Sequence, residues 1–126
     1  MKIHNPSSVH PGGTYSHGIE VPPNARWLYI SGQVGVDAAG KMKDGVEAQT
    51  DQAWQNLKSV LAAAGMSMEN VVKITSFLVD ENSIEAYRKG RGAHMGEHRP
   101  ASTLVIVKRL AQPTWLVEVE AVAAKT

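Results

Sequence analysis

The sequence predicts an α+β domain: one β-sheet carrying two helices on a single face, in the order β-β-α-β-α-β-β. Three observations carry this expectation. Gly45 to Ala64 repeats apolar residues at helical spacing. Val71 to Val79 is a short, almost continuously apolar run between two helical segments, as an interior strand requires. The remaining strand-like segments group at the two ends of the chain.

The first residues read as loop, because Pro6, Ser7, Ser8, Pro11, Gly12 and Gly13 are all turn formers. Tyr15 to Val21 follows as a short strand, stopped by Pro22-Pro23, and Arg26 to Ser31 as a stronger one, rich in aromatic and β-branched residues. Asp37-Ala38-Ala39-Gly40 is a turn. In the first helix Val46, Ala53, Leu57, Val60, Leu61 and Ala64 form one stripe, and Gly65 stops it. Asn82 or Ser83 caps a second helix that runs to about Met95. Gly90, Gly92 and Gly96 loosen its C-terminal end, each at a cost of roughly 1 kcal/mol relative to alanine. Pro100 closes it. Thr103, Val105 and Val107 alternate with Leu104 and Ile106 in one closing strand. In the last strand Trp115, Val117, Val119 and Ala121 face one way, and Leu116, Glu118, Glu120 and Val122 the other.

With 126 residues the chain is expected to form one domain, spanning 1–126, with room for a core but not for a second domain. Hydrophobic residues make up 43% and charged residues 20%, which fits a globular protein rather than a disordered one. A net charge of +1 gives no general attraction to nucleic acid or to an acidic membrane. The absence of cysteine excludes disulfides, thiolate nucleophiles and cysteine-ligated zinc. No apolar stretch has the length of a membrane span. The first six residues lack the apolar core of a signal peptide, so a cytoplasmic location is expected. Both Val71 to Val79 and Leu104 to Val107 read as apolar on both faces, while helices cover only one. The uncovered side would be a large apolar patch, and a homo-oligomer is expected on that ground.

Several short motifs, weak singly, occur in a fixed order over nearly the whole chain: Gly13-Thr14-Tyr15-Ser16, Ser31-Gly32-Gln33, Asn56-Leu57 with Ala64-Gly65, Val72-Lys73-Ile74-Thr75-Ser76-Phe77, Pro100-Ala101-Ser102-Thr103 and Val117 to Ala123. In this order they resemble the RidA (YjgF) family of reactive intermediate deaminases. The resemblance implies a chorismate-mutase-like fold, a homotrimer with three clefts between neighbouring subunits, and hydrolysis of enamines or imines to a keto acid and ammonia. It implies no cofactor and no metal.

The resemblance also assigns roles. Glu118 matches the glutamate that orients the attacking water; read as a bare residue, it is a strand carboxylate like Glu120. Tyr15 matches the tyrosine that lines the cleft, and its alternative is amphipathic packing. Gly32 matches a glycine whose backbone lies against the ligand; otherwise it is a bulge or turn residue. Ser102 departs from the pattern, since deaminating members have Pro-Ala-Arg-Ser, with the arginine binding the substrate carboxylate. A hydroxyl cannot replace a forked, permanent cation, so Ser102 is expected to bind a less acidic substrate by a hydrogen bond. Arg88 falls where the deaminases have a cleft-lining asparagine, Arg91 lies one turn on, and Arg99 precedes Pro100. Arg88, with Arg91, is therefore the candidate anion anchor; otherwise these arginines are a solvated helix face.

His94-Met95-Gly96-Glu97-His98 reads H-x-x-E-H, an inverted zincin pattern, but Gly96 and Pro100 weaken the helix it needs, and no metal is expected. Lys73, mid-strand, is expected at an edge or paired with a carboxylate rather than as a Schiff base. Nothing basic and aromatic resembles an RNA platform. The resulting expectation is a trimeric, cofactor-free hydrolase of a small imine, enamine or related metabolite. The alternatives are a trimer that binds a small molecule without turning it over, and a chaperone-like role for the trimer surface.

Overall fold

The computed structural model describes residues 1–126. Its elements are β1 (Lys2–His4), β2 (Gly18–Glu20), β3 (Arg26–Val34), α1 (Gly45–Ala63), β4 (Val71–Leu78), α2 (Ile84–Met95), β5 (Ala101–Ile106) and β6 (Val117–Lys125). The main sheet has the order β3-β6-β4-β5. The last strand thus enters the middle, antiparallel to both β3 and β4. β4 and β5 are parallel, and α2 supplies the crossover that a parallel pair needs. This mixed sheet with two helices is the chorismate-mutase-like α+β fold.

Six strands form where five were expected. Lys2-Ile3-His4 is too short to show a period, and it is held by pairing with Gly18-Ile19-Glu20 in a separate ribbon. Tyr15 and Ser16 lie outside β2. Ser16 is fixed instead by its backbone N–H, which donates to the Pro100 carbonyl at 3.1 Å, and by its hydroxyl, which donates to the Arg99 carbonyl. β3 runs past Ser31 to Val34.

Trp54, Leu57 and Leu61 of α1 pack with Ile74 and Leu78 of β4, Val117 and Val119 of β6, and Tyr87 of α2 in one buried core. The stripe expected for α1 was too narrow. Val46, Val60 and Ala64 are only partly buried, whereas Gln49, Thr50 and Trp54 are buried as well, because α2 covers a second side of this helix. At Gly90 of α2 a Cβ would come within 2.8 Å of Thr50 Cγ2, so this glycine permits close helix packing. Asp80 caps the short 3-10 turn Glu81–Ser83 ahead of α2 by accepting from the Asn82 N–H at 2.9 Å. Ser83, one of the two expected residues, is the N-cap of α2, but its side chain makes no capping hydrogen bond. α2 ends on Gly96, whose φ of 59° favours glycine.

Period-two alternation divides the sheet. Ile74, Ser76 and Leu78 of β4 face the helices with Ser102 and Leu104 of β5. The open face carries Lys73, Thr75 and Phe77 of β4, Glu118, Glu120 and Val122 of β6, Thr103 and Val105 of β5, and Tyr29 of β3. It is therefore less apolar than expected. Its hydrophobic part centres on Val105 and on Tyr29, which is 76% exposed and stacked on Trp27.

Candidate functional site

A cleft of about 680 Å³ opens beside β5 on the helix side, lined by Tyr15, Arg88, Arg91, Ser102 and Leu104 among others. The Ser16 bonds to Arg99 and Pro100 hold the preceding loop against the start of β5, and this brings Tyr15 to the cleft. A Cβ on Gly12 would fall 1.7 Å from the Tyr15 hydroxyl, so the phenol lies across that glycine. Arg88 stands at the exposed rim.

Arg91 is the distinctive group. It is only 7% exposed. Its Nη1 donates to Ser102 Oγ at 3.2 Å and its Nη2 to the Thr14 carbonyl at 3.3 Å. Both acceptors are neutral, and none of the three ion pairs of the chain involves Arg88 or Arg91. Burial lowers the Arg91 pKa; Tyr87 opposes this, while Arg99 and Arg88 add to the lowering. A guanidinium carries five donors, and a buried charge without a counterion is costly. The cleft therefore presents a recessed cation with no acidic partner, its fork held by the Ser102 hydroxyl and the Thr14 carbonyl.

Glu118 lies elsewhere. It lines a hollow of about 320 Å³ with Phe77, Arg109 and Glu120 on the open face. In β3, Ser31 and Gly32 oppose one residue of β6, because Ile30 pairs with Ala121 and Gln33 with Val119. This bulge turns the Gly32 backbone toward Glu118. A Cβ on Gly32 would lie 1.9 Å from Glu118 Oε2, so the carboxylate occupies the space that only glycine leaves free. Burial raises the Glu118 pKa above the ordinary glutamate value, and the like charge of Glu120 raises it further. The result is a carboxylate of increased basicity packed against the bulge backbone.

The five site residues expected from the sequence thus fall into two groups. Tyr15, Arg88 and Ser102 share the helix-side cleft; Gly32 and Glu118 share the open-face hollow. Ser102 pairs with Ile74 and Glu118 with Phe77, three residues along β4, which is an odd step and hence opposite faces. One chain does not bring the groups together. Sequence reasoning gave Arg91 second place to Arg88, although Arg91 is the recessed cation. It also missed Arg109, which lies in a loop without periodicity and donates to the carbonyls of Leu110 and Ala111.

Other polar groups have structural partners. His94 bonds Asp51 at 2.7 Å and His98 the Val71 carbonyl at 2.7 Å, and α2 ends before the H-x-x-E-H segment is complete. No group of three metal-capable side chains converges. Lys73 donates to Thr103 Oγ1 at 2.8 Å, a hydroxyl rather than a carboxylate. Arg99 is turned to the carbonyls of Gly96 and His98. No helix is long and apolar enough to cross a membrane.

Residues 5–125 match the family model described as Endoribonuclease L-PSP. A RutC family protein of Pyrococcus horikoshii is 34% identical over 125 residues, covering 98% of this chain and 96% of its own. The 2-iminobutanoate/2-iminopropanoate deaminase of Mus musculus is 36% identical over 115 residues, covering 90% of this chain and 82% of its own. Among solved structures, the Rid protein YyfB from Yersinia pestis superposes with a TM-score of 0.87 at 30% identity, covering 98% of both chains. The YjgF gene product of E. coli gives 0.75 at 30% identity, with 90% of each chain covered. The two-helix mixed sheet is thus shared with a class of small proteins that match this chain over most of their own length. The chain belongs to the RidA (YjgF) family.

Proposed function

We propose that the chain hydrolyses a small anionic imine or enamine to a carbonyl compound and ammonia, without a cofactor, in clefts formed between the subunits of a homotrimer. The observation that carries this reading is the uncompensated Arg91 guanidinium against Ser102, the position to which the family resemblance assigns a carboxylate-binding arginine. The cation reaches the cleft from α2 instead of from β5. The naming of the mouse relative as an imine deaminase supports the same chemistry.

Each half-site supplies what the other lacks. Arg91, with Tyr15 alongside, binds the anionic end and orients the substrate, and Arg88 stands at the rim. Glu118 of a neighbouring subunit takes a proton from water as its oxygen bonds to the imine carbon. The C=N π pair moves to nitrogen, which takes the proton back from Glu118. Glu118 then moves the carbinolamine hydroxyl proton to nitrogen as the C–N bond breaks, leaving the carbonyl compound and ammonia. A base of raised pKa suits this step, and such assistance is worth roughly 10²–10⁴-fold. The Gly32 backbone, bare at the bulge, lines the reacting end.

The test is release of ammonia from a series of 2-imino acids, generated in situ by an amino-acid oxidase. The wild type is expected to accelerate hydrolysis, and Glu118→Gln and Arg91→Met each to lose most of the effect. A wild type no faster than buffer on every member of the series would end the hydrolase reading.

A further inference from the structure

The cleft beside β5 holds more positive charge than one carboxylate can neutralise. Arg88 and Arg91 are three residues apart on α2, which sets their side chains on the same helix face, with Cβ atoms about 5–6 Å apart. Both line the cleft, which no acidic side chain of the chain enters. Arg91 is recessed with neutral acceptors, and Arg88 is exposed at the rim. The same cleft is also lined by the apolar side chains of Ile84 of α2 and of Leu104 and Ile106 of β5. A three-carbon imino acid has six heavy atoms, and a cavity of about 680 Å³ has room for about twenty waters at roughly 30 Å³ each. Size, paired positive charge and the apolar part of the lining all ask for a longer molecule, acidic at both ends.

We propose that the cleft selects a dianion, a dicarboxylic imine or enamine whose first carboxylate pairs with Arg91 and whose second pairs with Arg88, with the connecting carbons against Leu104 and Ile106. This rests on the anion-cleft reading above and adds the substrate class. Arg91 orients the carboxylate next to the imine carbon, and Arg88 determines specificity by reading the far end. With only one acid group in the ligand, Arg88 stays unpaired and contributes little.

Titration calorimetry on the intact oligomer tests this without requiring turnover. The probes are 2-oxoglutarate and 2-oxopentanoate, keto acids of equal chain length that differ by the second carboxylate, compared at matched ionic strength. The dicarboxylate is expected to bind at least about ten-fold more tightly, as one added charge-assisted pair at a half-open site provides. Arg88→Ala, at an exposed position that folding does not depend on, is expected to bring 2-oxoglutarate down to the affinity of 2-oxopentanoate. Arg91→Met is expected to weaken both. Equal affinity of the two acids for the wild type overturns the dianion and leaves the Arg91 anchor standing, as does a preference that survives Arg88→Ala. Binding of neither acid overturns the anchor, and the dianion with it.

Discussion

Glu118 carries the most specific expectations at the level of single residues. Burial and then the Glu120 charge raise its pKa, and a base works only when deprotonated. Hydrolysis should therefore be present above the folded-state pKa and fall as pH drops through it, with the acid limb above the ordinary glutamate range. Glu120→Gln removes the like charge and should move that limb to lower pH; a pH–rate profile of the two proteins checks this. The same shift acts on stability with the opposite sense. The folded state holds this proton more tightly than the unfolded chain, so the contribution is present at low pH and lost as pH rises through the folded value. Gly32→Ala should displace the carboxylate, since the new Cβ would meet Oε2, and should cost roughly 10²-fold in rate while circular dichroism stays native. Glu118 and Gly32 could be matched in the sequence because short motifs carry them. The prominence of Arg91 could not, because whether an arginine on a helix is solvated or buried depends on what the helix packs against.

Elements were legible where their periodicity was long and local. α1, β4 and α2 appear within a residue or two of their expected bounds. Long-range pairing was not legible: nothing in Lys2-Ile3-His4 signals a partner sixteen residues on, and nothing in β6 says that it inserts between β3 and β4. Gln49 illustrates the same limit. It interrupts the apolar pattern of α1, yet it is buried, its amide donating to the carbonyls of Lys43 and Thr114 at 3.0 Å each and its oxygen accepting from the Leu116 N–H at 2.8 Å. These bonds tie the segment before α1 and the segment entering β6 to the helix. Gln49→Ala removes three bonds worth about 1 kcal/mol each and leaves buried groups unpaired, so a loss of about 3 kcal/mol is expected. Urea unfolding at fixed protein concentration measures it, and an unchanged midpoint would mean that water takes over these bonds.

The division of the site between two faces of the sheet makes assembly the decisive property of the whole molecule. Tyr29 and Val105 leave apolar surface on the open face, next to the hollow that holds Glu118. A trimer of 13.6 kDa chains should scatter light as a particle of about 41 kDa. Tyr29→Asp should lower that mass and the hydrolysis rate together, leaving the chain folded. A sharper test mixes two inactive proteins. Suppose Glu118→Gln and Arg91→Met are unfolded together in equal amounts and refolded as random trimers. A cleft works when its Arg91 comes from a Glu118→Gln chain and its Glu118 from an Arg91→Met neighbour. Each choice has even odds, so about a quarter of the clefts should recover. If both groups served the same cleft from one chain, every cleft would keep one defect and recovery would be nil. Recovery near a quarter requires that the two faces meet across a subunit boundary, while its absence would mean that Arg91 and Glu118, on opposite faces of the sheet, do not serve one shared cleft.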